Sequence, residues 1–389
     1  MEKVYQGNWF RYFPDNYLWS HRICGILNLA RVGGSALWEV DQIGNNLKED
    51  IGNSEIWFRE WKKMSDFVFD YAKRELESGH VETASGALIR SAVYLYTAEQ
   101  LIPPDDPRKF ESYKKVTSRF YDGMKLRIDE FEKIEIPYEE GPLYSFWIPP
   151  DTKNENYPVV VFFDGADACK EITTLWAGLD LRSRGIGCLC IDGPGQGETL
   201  RLGKIPSRYD YEVPATAAYN YVSSMKNVHP ERIGIMGMSM GGYYAPRAAA
   251  FEKRYAACVA WGCSVDIHEV VVRRRKILEA GGTETSAHMW QLPFLMGCDD
   301  VDSAIEKSKK YNLTGIASKI TMPILILNGI EDTIAPIEMA YRLFEECSSI
   351  DKQLKIFSVD NGGSQHCIVD NLGLASNYIA DWFMDHLVD

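Results

Sequence analysis

The chain has 389 residues, with 42 lysines and arginines against 55 aspartates and glutamates, which gives a formal net charge of −13. Its residues are 46% hydrophobic and 25% charged, which is typical of a soluble globular protein and excludes the disordered and collagen-like classes. A surplus of negative charge repels polyanions, so we expect no nucleic-acid partner. The length favours two domains over one.

The first 30 residues mix charged and aromatic side chains, and no run of about 18 apolar residues occurs anywhere in the sequence. We therefore predict a cytoplasmic protein that does not associate with membranes. None of the nine cysteines forms a C-x-x-C pair, and we expect them to be buried, reduced thiols.

Helical periodicity dominates residues 1–130, where strand-like runs are absent. Trp57, Trp61 and Val68, for example, recur at the spacing of one helical face. The predicted helices are Ser54–Gly79, Val81–Leu101 and one that runs from Pro107 towards Ile128. We therefore predict an N-terminal helical domain over residues 1–130.

Beyond residue 130, short apolar runs alternate with helical segments, which is typical of βαβ units around a mostly parallel sheet with helices on both faces. The parallel strands are predicted at Pro158–Phe163, Ile186–Ile191, Arg232–Met236, Ala257–Trp261, Pro323–Asn328 and Gln353–Val359. An antiparallel edge hairpin is expected near Lys133–Pro137 and Leu143–Ile148. Residues 264–321 do not show this alternation of short apolar runs and helical segments. They are predicted to form a helical insertion over the strand ends.

The segment Gly237-Met-Ser239-Met-Gly241 joins an apolar strand to a helix rich in small residues. This G-x-S-x-G pattern is typical of a nucleophile elbow, in which a strained turn projects the serine hydroxyl above the sheet. Flanking glycines let the neighbouring strand and helix approach the turn. The pattern predicts Ser239 as a nucleophile, and the alternative is a glycine-rich turn with a bystander serine.

A serine hydroxyl needs a base that takes its proton, and the base needs an acid that orients it. In folds with this elbow, the chain order is nucleophile, acid, histidine. Of the seven histidines, His366 is in a suitable place, in a glycine-rich loop between the last predicted strand and the C-terminal helix. We therefore predict His366 as the base.

The acid is expected after the strand Pro323–Asn328, where Asp332 follows closely. A short carboxylate at a strand end can accept the imidazole N–H, while the adjacent Glu331 is expected to point to solvent. Asp266, after the strand Ala257–Trp261, is the competing candidate. We favour Asp332.

Acyl chemistry also needs hydrogen-bond donors for the oxyanion that develops on the substrate. One predicted donor is the backbone N–H of Met240, and the other is that of Ala166, in the loop after the strand Pro158–Phe163. The glycine-rich loop Asp192–Glu198 lacks the Lys-Ser/Thr ending of a phosphate-binding loop, so we interpret it as a tight turn near the site. The sequence shows no cluster of metal ligands, and we predict neither metal nor cofactor.

Four segments carry a family likeness: Glu77-Ser-Gly-His-Val-Glu-Thr-Ala-Ser-Gly-Ala, Asp192-Gly-Pro-Gly-Gln-Gly-Glu, Gly237-Met-Ser-Met-Gly-Gly-Tyr-Tyr-Ala-Pro-Arg and Leu327-Asn-Gly-Ile-Glu-Asp. Over residues 132–389 the chain resembles the α/β-hydrolase superfamily. With its helical region it resembles the branch that contains the fungal yellowish-green heptaketide hydrolases and the bacterial 2,6-dihydroxypseudooxynicotine hydrolase. Where that family often has Gly-Gly or Thr-Gly in its oxyanion loop, this chain has Asp164-Gly165.

The resemblance implies an α/β-hydrolase fold with Ser239, Asp332 and His366 as catalytic triad. It also implies a helical cap domain (1–130) over a catalytic domain (131–389). The branch is known for cleaving carbon–carbon bonds next to a ketone, in 1,3-dicarbonyl or acyl-arene substrates, without cofactors. We therefore expect a hydrolase of secondary metabolism that acts on a polyketide-like or aromatic ketone.

Several alternatives stay open. Asp266 or Glu269, in the insertion, is an auxiliary acid or part of a solvated surface, and Arg273-Arg274-Arg275 is expected to be a solvated helix face rather than an anion clamp. A carboxylesterase or an acyltransferase would use the same triad, and a non-catalytic binding protein is the alternative of another class. The expected partner is a small-molecule ketone or ester, and formation of a homodimer is left open.

Overall fold

The computed structural model describes residues 9–166, 168–280 and 285–388. Its first part is helical. The five α-helices among the described residues of this region are α1 (Tyr17–Asn28), α2 (Leu37–Leu47), α3 (Ser54–Glu77), α4 (Val81–Glu99) and α5 (Pro107–Arg127). The side chain of Asn53 caps α3, and Asp106 followed by a proline at the first helical position begins α5. Helices α3 to α5 agree with the predicted ones.

Helices α1 and α2 were not predicted from the sequence. Helix α1 buries Trp19, Arg22, Ile23 and Ile26 among others, so that most of its circumference is covered. A helix that is covered on most sides carries no apolar stripe against a polar face, and its periodicity is therefore weak.

The sheet follows the helical region. Its strands in the described residues are β1 (Glu132–Ile136), β2 (Leu143–Ile148), β3 (Tyr157–Phe163), β4 (Gly187–Ile191), β5 (Val228–Met238), β6 (Ala257–Trp261), β7 (Ile324–Gly329) and β8 (Lys352–Phe357). They lie in the order β1-β2-β4-β3-β5-β6-β7-β8, with β1 and β2 antiparallel and β3 to β8 parallel. The predicted mostly parallel sheet with an antiparallel edge hairpin is confirmed.

Ten further α-helices belong to the described part of the chain. Those around the sheet are α6 (Lys170–Thr173), α7 (Leu179–Arg182), α8 (Gly197–Arg201), α9 (Glu212–Ser223), α10 (Gly241–Phe251), α14 (Ile337–Glu346) and α15 (Leu372–Leu387). The insertion holds α11 (Ile267–Glu279), α12 (Thr285–Met296) and α13 (Val301–Ser308). The expected helical insertion before β7 is confirmed, and its residues 281–284 lie outside the described residues.

Two hydrophobic cores lie on opposite faces of the sheet, because successive side chains of a strand point in opposite directions. On β3, Val160 and Phe162 belong to one core, and Val159 and Val161 belong to the other. The first core also contains the apolar residues of α1 to α5, so the N-terminal helices share a continuous core with one face of the sheet. A domain boundary at residue 130 stays a prediction.

The parallel strands place their carboxyl ends along one edge, where ligands bind in open α/β sheets. The loops after β3, β5, β6, β7 and β8 therefore converge above that edge. All nine cysteines lie in the described residues, and none forms a disulfide. Among the helices of the described chain, none combines the length and apolar character that a membrane span requires.

Candidate active site

Ser239 occupies the turn between β5 and α10 and has a φ angle of 58°. A non-glycine residue in this left-handed region is strained, and such strain persists where the surrounding structure enforces it. Its backbone N–H donates to the carbonyl of Trp261 at 2.8 Å, which ties the turn to β6. A Cβ atom on Gly241 would lie 2.7 Å from the carbonyl oxygens of Phe163 and Asp164, so glycine is needed where the helix approaches the loop after β3.

Ser239, His366 and Asp332 form a continuous hydrogen-bonded chain. The Nε2 atom of His366 lies 2.8 Å from Ser239 Oγ, and its Nδ1 atom lies 2.8 Å from Asp332 Oδ2. His366 and Asp332 are only 4% and 5% exposed, whereas Ser239 is half-buried and faces a cavity. The structure therefore brings together the three residues singled out by chain order.

The carboxylate of Asp332 is held by the backbone. Its Oδ1 atom accepts hydrogen bonds from the N–H groups of Ile334 at 2.9 Å and Ala335 at 2.7 Å. The other oxygen is thereby left facing the imidazole. The two backbone hydrogen bonds thus fix the orientation of the carboxylate towards His366, as the orienting acid of such a site requires.

The loop that carries His366 is supported by two further carboxylates. Glu331 Oε2 accepts hydrogen bonds from Ser364 Oγ and Gln365 Nε2, each at 2.9 Å. Asp370 accepts from the N–H groups of the same two residues. The expectation that Glu331 points to solvent is therefore wrong, because the loop before His366 offers it two side-chain donors.

Cys367, the residue after His366, lines the cavity that contains Ser239. Cys367 has a φ angle of 55°, and its carbonyl accepts a hydrogen bond from the indole of Trp261 at 2.9 Å. Burial, with the nearby charges of Asp332 and Asp164, raises the pKa of the Cys367 thiol well above its usual value. The thiol therefore stays neutral and is a poor nucleophile next to Ser239.

The loop after β3 lies directly against Ser239. A Cβ atom on Gly165 would be 2.8 Å from the Cβ of Ser239, and Ala166 lines the same cavity. Gln196 supports this loop by donating from Nε2 to the carbonyl of Asp164. The Oε1 atom of Gln196 in turn accepts from the N–H of Gly193 at 2.9 Å. The glycine-rich loop after β4 thus fixes the loop after β3, as a tight turn next to the site.

The remaining predicted residues have other positions. Met240 precedes the first turn of α10, next to Ser239. Asp266 caps α11 through the N–H of Glu269 and accepts a hydrogen bond from Asn312 at 2.7 Å. Glu269 pairs with Arg342 at 2.8 Å on the surface. Asp266 and Glu269 are thus not among the described residues that line the cavity.

The cavity above Ser239 has a volume of about 130 Å³, measured as the space open to the centre of a water-sized sphere. From the N-terminal helices and their connections it is lined by Tyr17, Leu18, His21, Arg22, Gly25, Ile26, Tyr96 and Gln100. From the loops and helices of the sheet it is lined by Asp164, Gly165, Ala166, Ala168, Ile172, Trp176, Met238, Ser239, Ile334, His366, Cys367 and Val369, and from the insertion by Arg274. Burial raises the pKa of the Tyr96 hydroxyl well above its usual value, so this group stays neutral.

A second cavity, about 10 Å³ by the same measure, shares Gln100 and Ala166 with the first. Trp290 and Phe294 of α12 line it. Within the described part of the chain, no three His, Cys, Asp or Glu side chains are grouped as metal ligands would be.

Comparison with known proteins agrees with this fold. A model of the prolyl oligopeptidase family matches residues 214–388. The crystal structure of 2,6-dihydroxy-pseudo-oxynicotine hydrolase aligns over 93% of this chain and 96% of its own, with a TM-score of 0.77 and 23% identity. The chain has the α/β-hydrolase fold.

The chain is also similar in sequence to three named hydrolases. It is 27% identical to α/β hydrolase gkaG of Penicillium citrinum over 82% of this chain and 83% of that protein. It is 26% identical to 2,6-dihydropseudooxynicotine hydrolase of Paenarthrobacter nicotinovorans over 85% of both chains. A third relative, 28% identical over 70% of this chain and 65% of its own, is 20-hydroxy-prefusarin hydrolase FUS2 of Gibberella moniliformis.

Three basic residues of the cavity wall were not predicted from the sequence: His21 and Arg22 of α1, and Arg274 of α11. A signal was present for the first two, because they interrupt an otherwise largely apolar segment. Arg274 is half-buried and lines the cavity, a position that the expectation of a solvated helix face did not include.

Proposed function

We propose that this α/β hydrolase is a cofactor-independent serine-type enzyme that cleaves a carbon–carbon bond next to a ketone. The observation that carries the proposal is the chain of two 2.8 Å contacts from Ser239 through His366 to Asp332. This arrangement suits a nucleophile, a base and an orienting acid. The names of the relatives support the substrate class, because one acts on 2,6-dihydropseudooxynicotine and another on 20-hydroxy-prefusarin.

In the first half of the proposed reaction, Ser239 Oγ attacks the ketone carbon while His366 Nε2 takes its proton. The N–H groups of Met240 and Ala166 donate to the resulting oxyanion. The carbon–carbon bond then breaks, and its electron pair leaves on the departing carbon. That carbanion is delocalised as an enolate or phenolate-type form, and His366 returns the proton to it.

The second half removes the acyl group from Ser239. A water molecule gives a proton to His366 and attacks the ester carbon, and the ester bond to Ser239 breaks as the hydroxyl regains its proton. The product is a carboxylic acid. Asp332 keeps the imidazole in one tautomer throughout and stabilises its charged form. These steps need only side chains, backbone donors and water.

We further propose that residues 1–130 act as a cap over the catalytic part. Eight of the 21 described lining residues belong to this segment, so the helices form one side of the cavity. Closing a site in this way excludes water from the acyl intermediate and strengthens the oxyanion contacts. A cytoplasmic location and a homodimer stay predictions.

The test is a screen of acyl phenols and 1,3-diketones beside simple 4-nitrophenyl esters, with wild type and Ser239→Ala. We expect the variant to fold like wild type and to lose nearly all turnover, and a fluorophosphonate to label wild type at Ser239. Cleavage of a ketone into an acid and a second ketone or arene would support the proposed bond. Turnover of esters alone would favour a carboxylesterase, and acyl transfer to an added alcohol would favour a transferase.

A further inference from the structure

Two consecutive residues after His366 have a strained backbone. Cys367 and Ile368 both have φ angles of 55°, in the left-handed region. A side chain branched at Cβ, such as that of isoleucine, rarely adopts this conformation, because its Cβ crowds the following carbonyl oxygen. The strain costs free energy, so it persists only where contacts in the folded protein hold the segment in place.

Two carbonyl groups of residues 366–369 are bound by helix α1. The side-chain amide of Asn28 donates to the carbonyl of Val369 at 2.9 Å, and Nε2 of His21 lies 3.2 Å from the carbonyl oxygen of His366. A carbonyl oxygen can only accept a hydrogen bond, so the second contact requires a proton on Nε2 of His21. The strained pair thus lies between two carbonyl groups that α1 binds.

The remaining contacts of this loop come from the sheet side of the site. The N–H of Gln365, before His366, donates to Asp370 at 3.0 Å within the same loop. The carbonyl of Cys367 accepts from the indole of Trp261 in β6 at 2.9 Å. The chain on both sides of the imidazole is therefore anchored, and α1 supplies the anchors at the carbonyl groups on either side of the strained pair.

Asn28 is the clearest of these anchors, because it is not among the described residues that line the cavity. His21, Cys24 and Asn28 are three and four residues apart, so they share one face of α1. The amide of Asn28 also donates to the carbonyl of Cys24 at 3.0 Å, one turn earlier in the helix. It therefore bridges α1 and the loop of His366, and its effect on the site is exerted through that loop.

We propose that Asn28 and His21 are positioning residues, which hold the strained segment after His366 in the conformation that places the imidazole against Ser239. The inference rests on the proposed function, in which His366 is the base. A helix that only walled the cavity would matter for bulky substrates alone. A helix that sets the geometry of the base affects the attack of Ser239 on every substrate, because a small misplacement of a reacting group slows the reaction.

The test is Asn28→Leu in the full-length protein, which removes the amide donors with little change in volume. We expect kcat for 4-nitrophenyl acetate and for a bulky aryl ester to fall by the same factor, about tenfold or more, with little change in KM. Ser35→Ala is the matched control, because Ser35 Oγ donates to the carbonyl of Ile26 in the same helix at 2.6 Å. If Asn28→Leu does not fold, Asn28→Ala deletes the amide without adding apolar atoms.

The position of the imidazole can be measured without turnover. Nδ1 of His366 lies 2.8 Å from Asp332, and an imidazole N–H bonded to a carboxylate gives a proton resonance at unusually low field. This signal should weaken in Asn28→Leu and stay unchanged in Ser35→Ala. Labelling of Ser239 by a fluorophosphonate should slow in Asn28→Leu by about the same factor as kcat.

The role of the strain is tested by Cys367→Gly, since glycine adopts the left-handed conformation without strain. In this background the loop needs less support, and Asn28→Leu should lower kcat by a smaller factor than it does in wild type. The same factor in both backgrounds would show that α1 does not counteract the strain, which would overturn the inference.

Three further results would also overturn it: an unchanged kcat in Asn28→Leu, a loss on the bulky ester alone, or equal losses of kcat and melting temperature in Asn28→Leu and Ser35→Ala. The outcome is separable from that of the proposed function. If Ser239→Ala remains active, the proposed function fails, and the low-field resonance of His366 still decides whether Asn28 positions the imidazole.

Discussion

The Nε2 atom of His21 lies 3.2 Å from the main-chain oxygen of His366. Their rings are 6.0 Å apart, and in the same helix the side-chain amide of Asn28 donates to the carbonyl of Val369 at 2.9 Å. Helix α1 therefore contacts the loop that carries the imidazole at two successive points. A displacement of this helix would be transmitted to the His366–Ser239 hydrogen bond.

We predict that Asp332→Asn lowers kcat by up to about 10⁴-fold, because the amide removes the negative charge beside the imidazole and favours the wrong tautomer. Asp266→Asn is the matched control, since Asp266 caps α11 and binds Asn312 instead of His366. Steady-state kinetics on one ester would measure both. A crippled Asp266→Asn enzyme beside an active Asp332→Asn enzyme would reverse the assignment.

The parts of the site predicted from sequence are those that local patterns encode. Ser239 lies in a strand–turn–helix pattern, Asp332 follows the apolar strand β7, and His366 follows β8, the last strand of the sheet. A serine nucleophile needs a base and an acid. In folds with this elbow the acid and then the histidine follow the serine along the chain, and this order was sufficient to select Asp332 and His366. The inner parallel strands β3 to β7 were predictable for the same reason, because each contains a short, continuous apolar run.

Contacts across a long sequence separation were not predictable. His21 and His366 are 345 residues apart, and no periodicity relates them. Glu331 was expected in solvent because the donors that it meets, Ser364 and Gln365, come from a different strand end. Arg274 required knowledge of where the insertion lies, which composition does not contain.

A second prediction concerns Gln196, which is 1% exposed and holds the loop after β3 through the carbonyl of Asp164. We expect Gln196→Met to lower kcat by about tenfold with a smaller change in KM, because the oxyanion donor of that loop acts mainly in the transition state. Gln353→Met, on the exposed edge strand, is the control.

Gln196 acts as a positioning residue, so inhibitors provide a further readout. A boronic acid that mimics the tetrahedral intermediate should lose affinity in Gln196→Met more than a neutral substrate analogue does. Equal losses for the two inhibitors, together with a lower melting temperature, would indicate a purely structural role.

A third prediction concerns a buried ion cluster between the helical region and the sheet. Glu99 of α4 is fully buried and binds Lys109 of α5 at 2.6 Å and Arg201 of α8 at 2.9 Å. Although burial lowers the pKa of Arg201, the charge of Glu99 raises it above the usual value. Glu99→Gln would leave two buried cations without their carboxylate and should lower the free energy of unfolding by about 3–5 kcal/mol.

Urea unfolding measures this change, and the exposed pair of Glu306 and Lys309 supplies the control. Glu306→Gln should alter the free energy of unfolding by less than about 1 kcal/mol, because solvent screens the pair. If both substitutions lower the free energy of unfolding by the same small amount, the buried cluster does not stabilise the contact between the helices and the sheet.

The last prediction tests whether α1 is a wall of the substrate site. Gly25 lines the cavity, and a Cβ atom there would lie 3.0 Å from Val369 Cγ2 and 3.7 Å from the ring of Trp176. Gly25→Leu would therefore fill cavity space and push α1 from the loop that carries His366. We expect kcat/KM on a bulky aromatic acyl substrate to fall by about tenfold or more relative to that on 4-nitrophenyl acetate, because a rigid pocket rejects added bulk.

The control for Gly25→Leu is Gly86→Leu, because Gly86 lies in α4 away from the cavity and an added Cβ there meets only the guanidinium of Arg90, at 3.5 Å. Both variants should be compared by melting temperature, since overpacking at Gly25 is expected to cost about 1–3 kcal/mol of stability. If the folded Gly25→Leu enzyme discriminates between the two substrates as Gly86→Leu does, α1 does not bound the acyl pocket. A selective loss on the bulky substrate would instead mean that the N-terminal helices set the size of the acyl group that reaches Ser239.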